Sequence, residues 1–366
     1  MSFPRRLRRQ LATAALALVL VVAVAATGRD GAGAPDPTFS PRAARPSAAC
    51  DRYASPRGSN ANRGRFSAPF AGAQKLLDSL RAGQTGCLRA GTYTVGELRV
   101  HRSGRPGAPI TLTSAPGERA RIVTRTDFYL PSGISHITFQ NLDLTNAPAS
   151  RSLAGVMIQD FSSSSTWIGN DISGSARSTC MQVGSVAYGT ARHTVIRANR
   201  IHDCGNPADR NQDHAIYVAQ SRGATITDNV IWNAAAYAVH LYPRADATTV
   251  THNVIDASGY GGVMFAGDRQ ASDNNTVAYN VITGGARYGL DFYWGGREGT
   301  GNAASHNCFH DNAAGDTDGE MAGVAVSANT DADPRYADPA AHDYRLPPGS
   351  PCLSVVGYDA AARLGF

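Results

Sequence analysis

The polar and apolar positions between 167 and 309 repeat like lines of one verse. In each line an Asn stands with an apolar residue three positions before it and an Ile two after. The lines are Trp167/Asn170/Ile172, Ile196/Asn199/Ile201, Ile226/Asn229/Ile231, Val250/Asn253/Ile255 and Val277/Asn280/Ile282, and Asn307/Phe309 extends the series. The Asn spacings are 29, 30, 24, 27 and 27. A period of this size predicts a solenoid, in which each repeat buries its apolar face only against its neighbours. The line is less clean at Ile137 to Leu144, where Gln140 gives a better corner register than Asn141.

A second set of short alternating stretches lies between the Asn lines: 214–218, 237–242, 261–265 and 288–293. Alternation predicts strands, and no helical pattern separates them, which argues against βαβ units. Each coil thus contributes at least two strands and an Asn corner. Strands of successive coils pair about 4.8 Å apart. The Asn side chains bond the local backbone and their neighbours along the stack. Upstream, Phe70, Ala73, Leu76, Leu77 and Leu80 are spaced as on a helix, with Gly83 as a stop. This predicts a short helix over the open end of the core.

Strand alternation also sorts the faces. If Ile216, Val218, Val239, Leu241, Val263, Phe265, Leu290 and Phe292 point inward, an outward column reads Gln182, Tyr217, His240, Met264, Asp291. A parallel column two residues on reads Tyr242, Ala266, Tyr293. Aromatic rings suit the flat apolar faces of sugars; His, Asp and Arg suit hydroxyls and carboxylates. The loops beyond add Arg244, Asp268 and Arg269, and Asp213 and His214 precede the first of these strands. Four coils span roughly 15 Å, a suitable length for an oligosaccharide.

Composition narrows the picture. The 366 residues include 38 glycines, which suits a fold of many corners, and carry a formal charge of +5. Lys75 is the sole lysine, so no lysine base is available within the repeats. No basic run with interleaved aromatics lies outside the leader, which argues against nucleic acid. Residues 1–26 read as an export signal. Arg5, Arg6, Arg8 and Arg9 precede an apolar run, short for a membrane span, and Ala23-Val24-Ala25 offers a cleavage site. The pair Arg8-Arg9 partly matches a twin-arginine signal. Residues 27–48 read as a flexible leader rich in Pro, Ala and Gly, 49–356 as the solenoid and 357–366 as a C-terminal tail. A secreted or cell-surface monomer is expected, with no stable membrane insertion of the mature chain.

Six cysteines suit an exported protein. Fifteen full pairings are open to them. Position along the chain favours Cys50–Cys87 at the entry, Cys180–Cys204 between neighbouring coils and Cys308–Cys352 at the exit. Terminal coils lack a neighbour and gain from such pins.

The repeat lines, with Tyr53 to Ser59, Arg81 to Gly83 and Leu88 to Tyr93 at the front and Asp333 to Pro339, Asp343 to Leu346 and Gly349 to Cys352 at the back, resemble the right-handed parallel β-helix superfamily that includes pectate lyases. The resemblance covers roughly 50–355. It implies the handedness, an all-β fold and a polysaccharide partner. Asp213-His214, preceded by Asn211-Gln212, resembles the Asp-Pro-His motif of β-helix alginate epimerases, with the Pro replaced.

Two mechanisms fit the outward columns. A lyase or epimerase needs a base beside a uronate carboxylate and a cation for the developing enediolate. His240, His214 and Tyr217 are the proton carriers, and Arg244 and Arg269 the cations. A hydrolase needs two carboxylates, with Asp291 paired to Asp268 or Asp213. The expected catalytic set is His240, Arg244, Tyr217, His214 and Asp291. Tyr242, Tyr293, Arg269, Asp268 and Asp213 would hold substrate. A non-catalytic glycan-binding protein would use the same groove. The blander readings are specific: His240 as a surface histidine, the tyrosines as packing for loops, Asp213-His214 as a loop closure, and His252 and His306 as corner packing. The loop His310 to Met321 holds Asp311, Asp316, Asp318 and Glu320; it reads as a solvated loop or as a calcium site.

Overall fold

In the computed structural model, residues 50–147, 155–174, 178–207 and 212–364 are described. Residues 1–26 and 27–48, read above as an export signal and a leader, lie outside them. So do 208–211, in the loop before His214, and the last two residues of the chain.

The described chain is a parallel β-solenoid. Its walls are sheets of eleven, ten and nine strands, with a narrow three-stranded strip beside the nine-stranded wall. Every strand pair within these sheets is parallel and joins equivalent residues of successive coils. The reason lies in the repeat lines. Each apolar residue three before the Asn stacks inward on the eleven-stranded wall, as Trp167, Ile196, Ile226, Val250 and Val277. Each Ile two after it does so on the ten-stranded wall. All of these are fully buried. Phe139 and Trp167 lie face to face, with ring centroids 4.4 Å apart.

The Asn sits at the corner between these two walls. Asn199 donates its backbone N–H to Asn229 Oδ1 at 2.9 Å, its side-chain amide to the same oxygen at 3.0 Å and to Trp167 O at 2.9 Å. The unit repeats through Asn253, Asn280 and Asn307, and Asn329 adds a further rung. The residue before each Asn is forced into the left-handed region, as at Ala198 (φ 55°), Asp228 (φ 59°) and His252 (φ 55°). That conformation is unfavourable for non-glycine residues. The buried amide network offsets it by satisfying groups that would otherwise be orphaned. At the start of the series the register differs from the expected one. Trp167 pairs with Phe139 and Asp171 with Asp143, so Leu142, not Gln140, holds the corner. Leu142 has no side-chain amide, and the ladder ends there with its backbone N–H on Asn170 Oδ1 at 3.1 Å.

A helix at Ala73–Ser79 covers the first coil with Leu76 and Leu77 buried. It is shorter than the apolar spacing suggests: Phe70 bridges to Ala54 as a strand would, and Leu80 is extended. Gly86 makes room for it, since a Cβ there would lie 2.8 Å from Leu80 Cδ1. All three expected disulfides form: Cys50–Cys87, Cys180–Cys204 and Cys308–Cys352. After the last coil the chain turns back along the ten-stranded wall. Tyr344 is buried there and donates to Asp256 Oδ2 at 3.0 Å. The segment after 356, read as a tail, packs on the corner. The Tyr358 ring stacks on His252 at 4.3 Å and its hydroxyl donates to Asp228.

Candidate functional site

The nine-stranded wall carries the outward column. Gln182, Tyr217, His240, Met264 and Asp291 pair in register, one per coil. Ala266 and Tyr293 pair in the next column out. The candidate site is therefore a stripe across four strands, Ile216–Val218, Tyr237–Leu241, Gly261–Gly267 and Tyr288–Trp294.

Its centre is a pair of histidines. His214 is 3% exposed, and its Nε2 lies 2.9 Å from His240 Nδ1. The Tyr237 backbone N–H donates to His214 Nδ1 at 3.3 Å. That nitrogen must therefore be bare, which places the His214 proton on Nε2 and makes His240 Nδ1 the next acceptor. The His240 proton then sits on Nε2. Burial pushes the His214 pKa down to about 3. Burial and the adjacent His214 push His240 well below the usual histidine range. Both rings are neutral at physiological pH, and the network presents His240 as a donor. Its Nε2 is sealed from solvent and meets no hydrogen-bond acceptor among the described residues. Tyr217, Tyr237 and Tyr242 surround the ring at centroid distances of 5.4, 5.5 and 5.5 Å.

Asp291 stands two coils on. It is 3% exposed, accepts the Tyr237 hydroxyl at 2.6 Å and the Phe292 N–H at 2.8 Å, and lies 3.6 Å from Arg287. Burial raises its pKa against the pull of Tyr237 and Arg287, and the nearby Asp318 raises it further. Arg287 also covers the Tyr260 ring at 4.8 Å. Tyr237 reaches Asp291 because the coil between them is bare: a Cβ at Gly261 would lie 3.0 Å from the Tyr237 ring. Tyr237, Tyr260 and Arg287 escaped the sequence reading. Alternation counted back from Val239 turns Tyr237 inward. In the fold Ala238 and Val239 both join the inner core, so the alternation slips by one and Tyr237 emerges on the outer face.

The groups of this face that remain partly or fully exposed are Tyr217, Tyr242, Asp268 and Tyr293. Asp268 lies near the Tyr242 hydroxyl. Burial, then Asp268 and Tyr293, raise its pKa. Burial, with Tyr242 and Asp268 nearby, raises Tyr217 likewise. Both are phenols, not phenolates. Tyr293 is 57% exposed. The structure thus gathers His214, Tyr217, His240, Tyr242, Asp268, Asp291 and Tyr293 on one face. Other expected site residues sit differently. Arg244 occupies a left-handed corner (φ 54°), with its Nε 3.9 Å from Asp246 on the three-stranded strip. Arg269 is exposed in the loop beside Asp268. Asp213 accepts the Asn206 N–H at 2.8 Å across its loop.

The acidic loop does not gather into a calcium site. Asp318 turns to Asp291, Asp316 lies near Asp331 and His310, and no group of three or more His, Cys, Asp or Glu among the described residues could hold a metal ion.

Comparison with known proteins places these features. The profile of the family described as "Periplasmic copper-binding protein (NosD)" matches residues 97–285, just over half of the chain. The uncharacterized protein YwoF of Bacillus subtilis is 28% identical over 233 residues, covering 61% of this chain and 45% of that protein. Pectate lyase PEL9 of Emericella nidulans is 39% identical over 71 residues, covering 19% of this chain and 17% of its own. The chain thus spans less than half the length of the curated relatives it matches. Among solved structures, pectate lyase Pel9A superposes with a TM-score of 0.52 at 15% identity over 76% of each chain. XylC in complex with xylose superposes with 0.57 at 12% identity, over 73% of this chain and 69% of that one. These likenesses show the fold, a right-handed parallel β-helix. Copper, named in the family's description, finds no fitting donor set among the described residues: their cysteines are all in disulfides, the imidazoles of His214 and His240 are committed to each other, and no group of three or more His, Cys, Asp or Glu is placed to hold an ion. With half of its sequence under that profile and its coils built as the repeat requires, the chain belongs to the NosD family of parallel β-helix proteins.

Proposed function

We propose that this protein is an exported enzyme that acts on an acidic polysaccharide by removing the proton beside a uronate carboxylate, leading to β-elimination or C5-epimerisation. The observation that carries the reading is the cluster on one face of Tyr217 and Tyr242, each about 5.5 Å from the His240 ring, with Asp268 near Tyr242 and Tyr293 exposed beside it. A protonated Tyr242 is a poor base alone. Backed by Asp268, it accepts the C5 proton while passing its own to the carboxylate. In elimination the C5 electron pair forms the new double bond as the C4–O bond breaks, and Tyr217 gives its proton to the leaving oxygen. In epimerisation Tyr217 returns a proton to the opposite face of C5. Asp268 and Tyr217 then regain their starting states through solvent. Arg269, beside Asp268, is the cation available to the uronate carboxylate. The buried histidines position the tyrosines. The likeness to pectate lyase PEL9 supports a polysaccharide partner, and three disulfides support an oxidising compartment.

A paired-carboxylate hydrolase is less well served, because Asp291 is committed to Tyr237 and Arg287, leaving Asp268 as the carboxylate in the groove. One observation favours a second reading, glycan binding without catalysis: the sealed His240 Nε2.

The test is a panel of polygalacturonate, alginate and xylan, with and without calcium. Ultraviolet absorbance of unsaturated uronate, reducing ends and C5 proton exchange by NMR are followed together. The proposal expects absorbance and reducing ends to rise together, or C5 exchange without cleavage, and either to fall about a hundredfold or more in Tyr242→Phe. Reducing ends without absorbance would replace it by hydrolysis. Retention of the polymers with no turnover would replace it by the binding reading.

A further inference from the structure

Beyond the tyrosine–aspartate centre, the same wall carries a second aromatic surface. Tyr188 is 57% and Val186 71% exposed, on a loop closed by mutual backbone hydrogen bonds of Ser185 and Gly189 at 2.9 and 3.0 Å. One face of the Tyr188 ring rests on Phe161, with centroids 5.4 Å apart and planes 18° from parallel. Phe161 in turn meets the Tyr129 edge at 5.7 Å. The Tyr188 ring is thus buttressed from beneath and open above.

Register ties this ring to the candidate site. Asp160, Val183, Val218, Leu241, Phe265 and Phe292 pair in series. One residue further on stand Phe161, Gly184, Ala219, Tyr242, Ala266 and Tyr293, and the ladder continues through Gly184 N–H to Asp160 O and Ala219 N–H to Val183 O, at 2.8 and 2.9 Å. Between the two aromatic patches the column therefore falls to a glycine and an alanine. A Cβ at Gly184 would lie 2.1 Å from Ala219 O, so no larger residue fits there. The result is a stretch of small, buried residues two to three coils long, about 10–14 Å, that separates the two rings.

The neighbouring strip adds charge. Arg192 and Arg222 are exposed and pair in register on adjacent strands. Arg222 meets Asp246 on the following strand, which leaves Arg192 and the Arg192 side of Arg222 to face an anion.

We propose that Tyr188 forms a second sugar-binding subsite, and that the protein takes an acidic polysaccharide laid along the solenoid axis from Tyr188 to Tyr242, with carboxylates over Arg192 and Arg222. This rests on the polysaccharide reading and adds to it a length requirement. A sugar face stacks on the open side of Tyr188, and a chain too short to reach from Tyr242 forgoes that contact.

The experiment is retardation of the native protein in gels containing polygalacturonate or alginate, with competition by short and long oligouronides. Tyr188 is exposed, so Tyr188→Ala leaves the fold intact. In Tyr188→Ala, and in Arg192→Ala/Arg222→Ala, the apparent Kd for the polymer should weaken about tenfold, the scale of one good contact. The affinity for the short oligouronide should be unchanged. Tyr242→Ala should weaken both. If Tyr188→Ala matches wild type on the polymer while Tyr242→Ala does not, the subsite is overturned and the central reading stands. If wild type itself is retarded by neither polymer, the acidic-polysaccharide reading falls and the subsite with it.

Discussion

Two walls of the solenoid carry histidines among aromatic rings, and their fates differ. On the ten-stranded wall His202 stacks on Trp232 at 4.2 Å. Its ring nitrogens lie 2.8 Å from Asp203 and 3.1 Å from Asp171. The returning C-terminal segment lies over this patch, with His342 stacked on Trp232 at 5.0 Å and Tyr344 beyond. On the nine-stranded wall His214 and His240 face each other, and the rings around them open onto Tyr242, Asp268 and Tyr293. An outward aromatic row is therefore no sign of a site by itself. One row is a docking strip for the chain's own end. The other carries exposed rings with the Asp268 carboxylate near them. The walls also differ in charge logic. Bonds to two carboxylates raise the His202 pKa despite burial, whereas His214, buried with no carboxylate bonded to its ring among the described residues, is driven down.

The sharpest way to break this comparison is to truncate each row. Trp232→Ala should cost about 3–5 kcal/mol in denaturant unfolding, because the ring is 3% exposed under the C-terminal segment, while polymer retardation stays unchanged. Tyr242→Phe should do the reverse. It leaves the unfolding midpoint within about 0.5 kcal/mol and removes about 3 kcal/mol of transition-state stabilisation, a hundredfold loss of turnover. A variant of Trp232 that unfolds no more easily than wild type would mean that the C-terminal segment does not cover that wall.

A smaller effect is the pH dependence of stability. The folded pKa of His202 is raised, so its contribution is full below about 6.5 and fades as pH rises through the folded value. His214 has a folded value of about 3 against an ordinary 6.5. The unfolded chain then binds more protons between those values, and stability falls as pH drops through that window. Thermal unfolding against pH should therefore lose part of its alkaline limb in His202→Gln and part of its acid limb in His214→Gln. Equal changes on both limbs for both variants would erase the distinction. Smallest of all, Tyr293→Ala should shift stability by less than about 0.5 kcal/mol, since the ring is 57% exposed, and act on ligand affinity alone.

Much of this was legible in the sequence because a solenoid writes its contacts at a fixed period. The Asn lines give the corner, the inner columns and the outward column Gln182 to Asp291. Position along the chain gives the disulfides. Two kinds of feature were hidden. Local slips break the period: Leu142 takes an Asn place, and the run Ala238-Val239 turns Tyr237 outward. Contacts that bypass the period are invisible to it: Arg287 on Asp291, Tyr344 on Asp256, Tyr358 on His252. The role of His240 was hidden for a third reason. Its tautomer depends on a backbone N–H that only the folded coil brings to His214.

The most direct test of the central claim, that an acidic polysaccharide engages the open nine-stranded wall, is amide hydrogen exchange of the intact protein with and without polygalacturonate. The account predicts slowed exchange in peptides covering 216–218, 237–242 and 261–268, and none along 200–204 and 230–234. Protection confined to the ten-stranded wall, or the same exchange everywhere with the polymer bound, would contradict it.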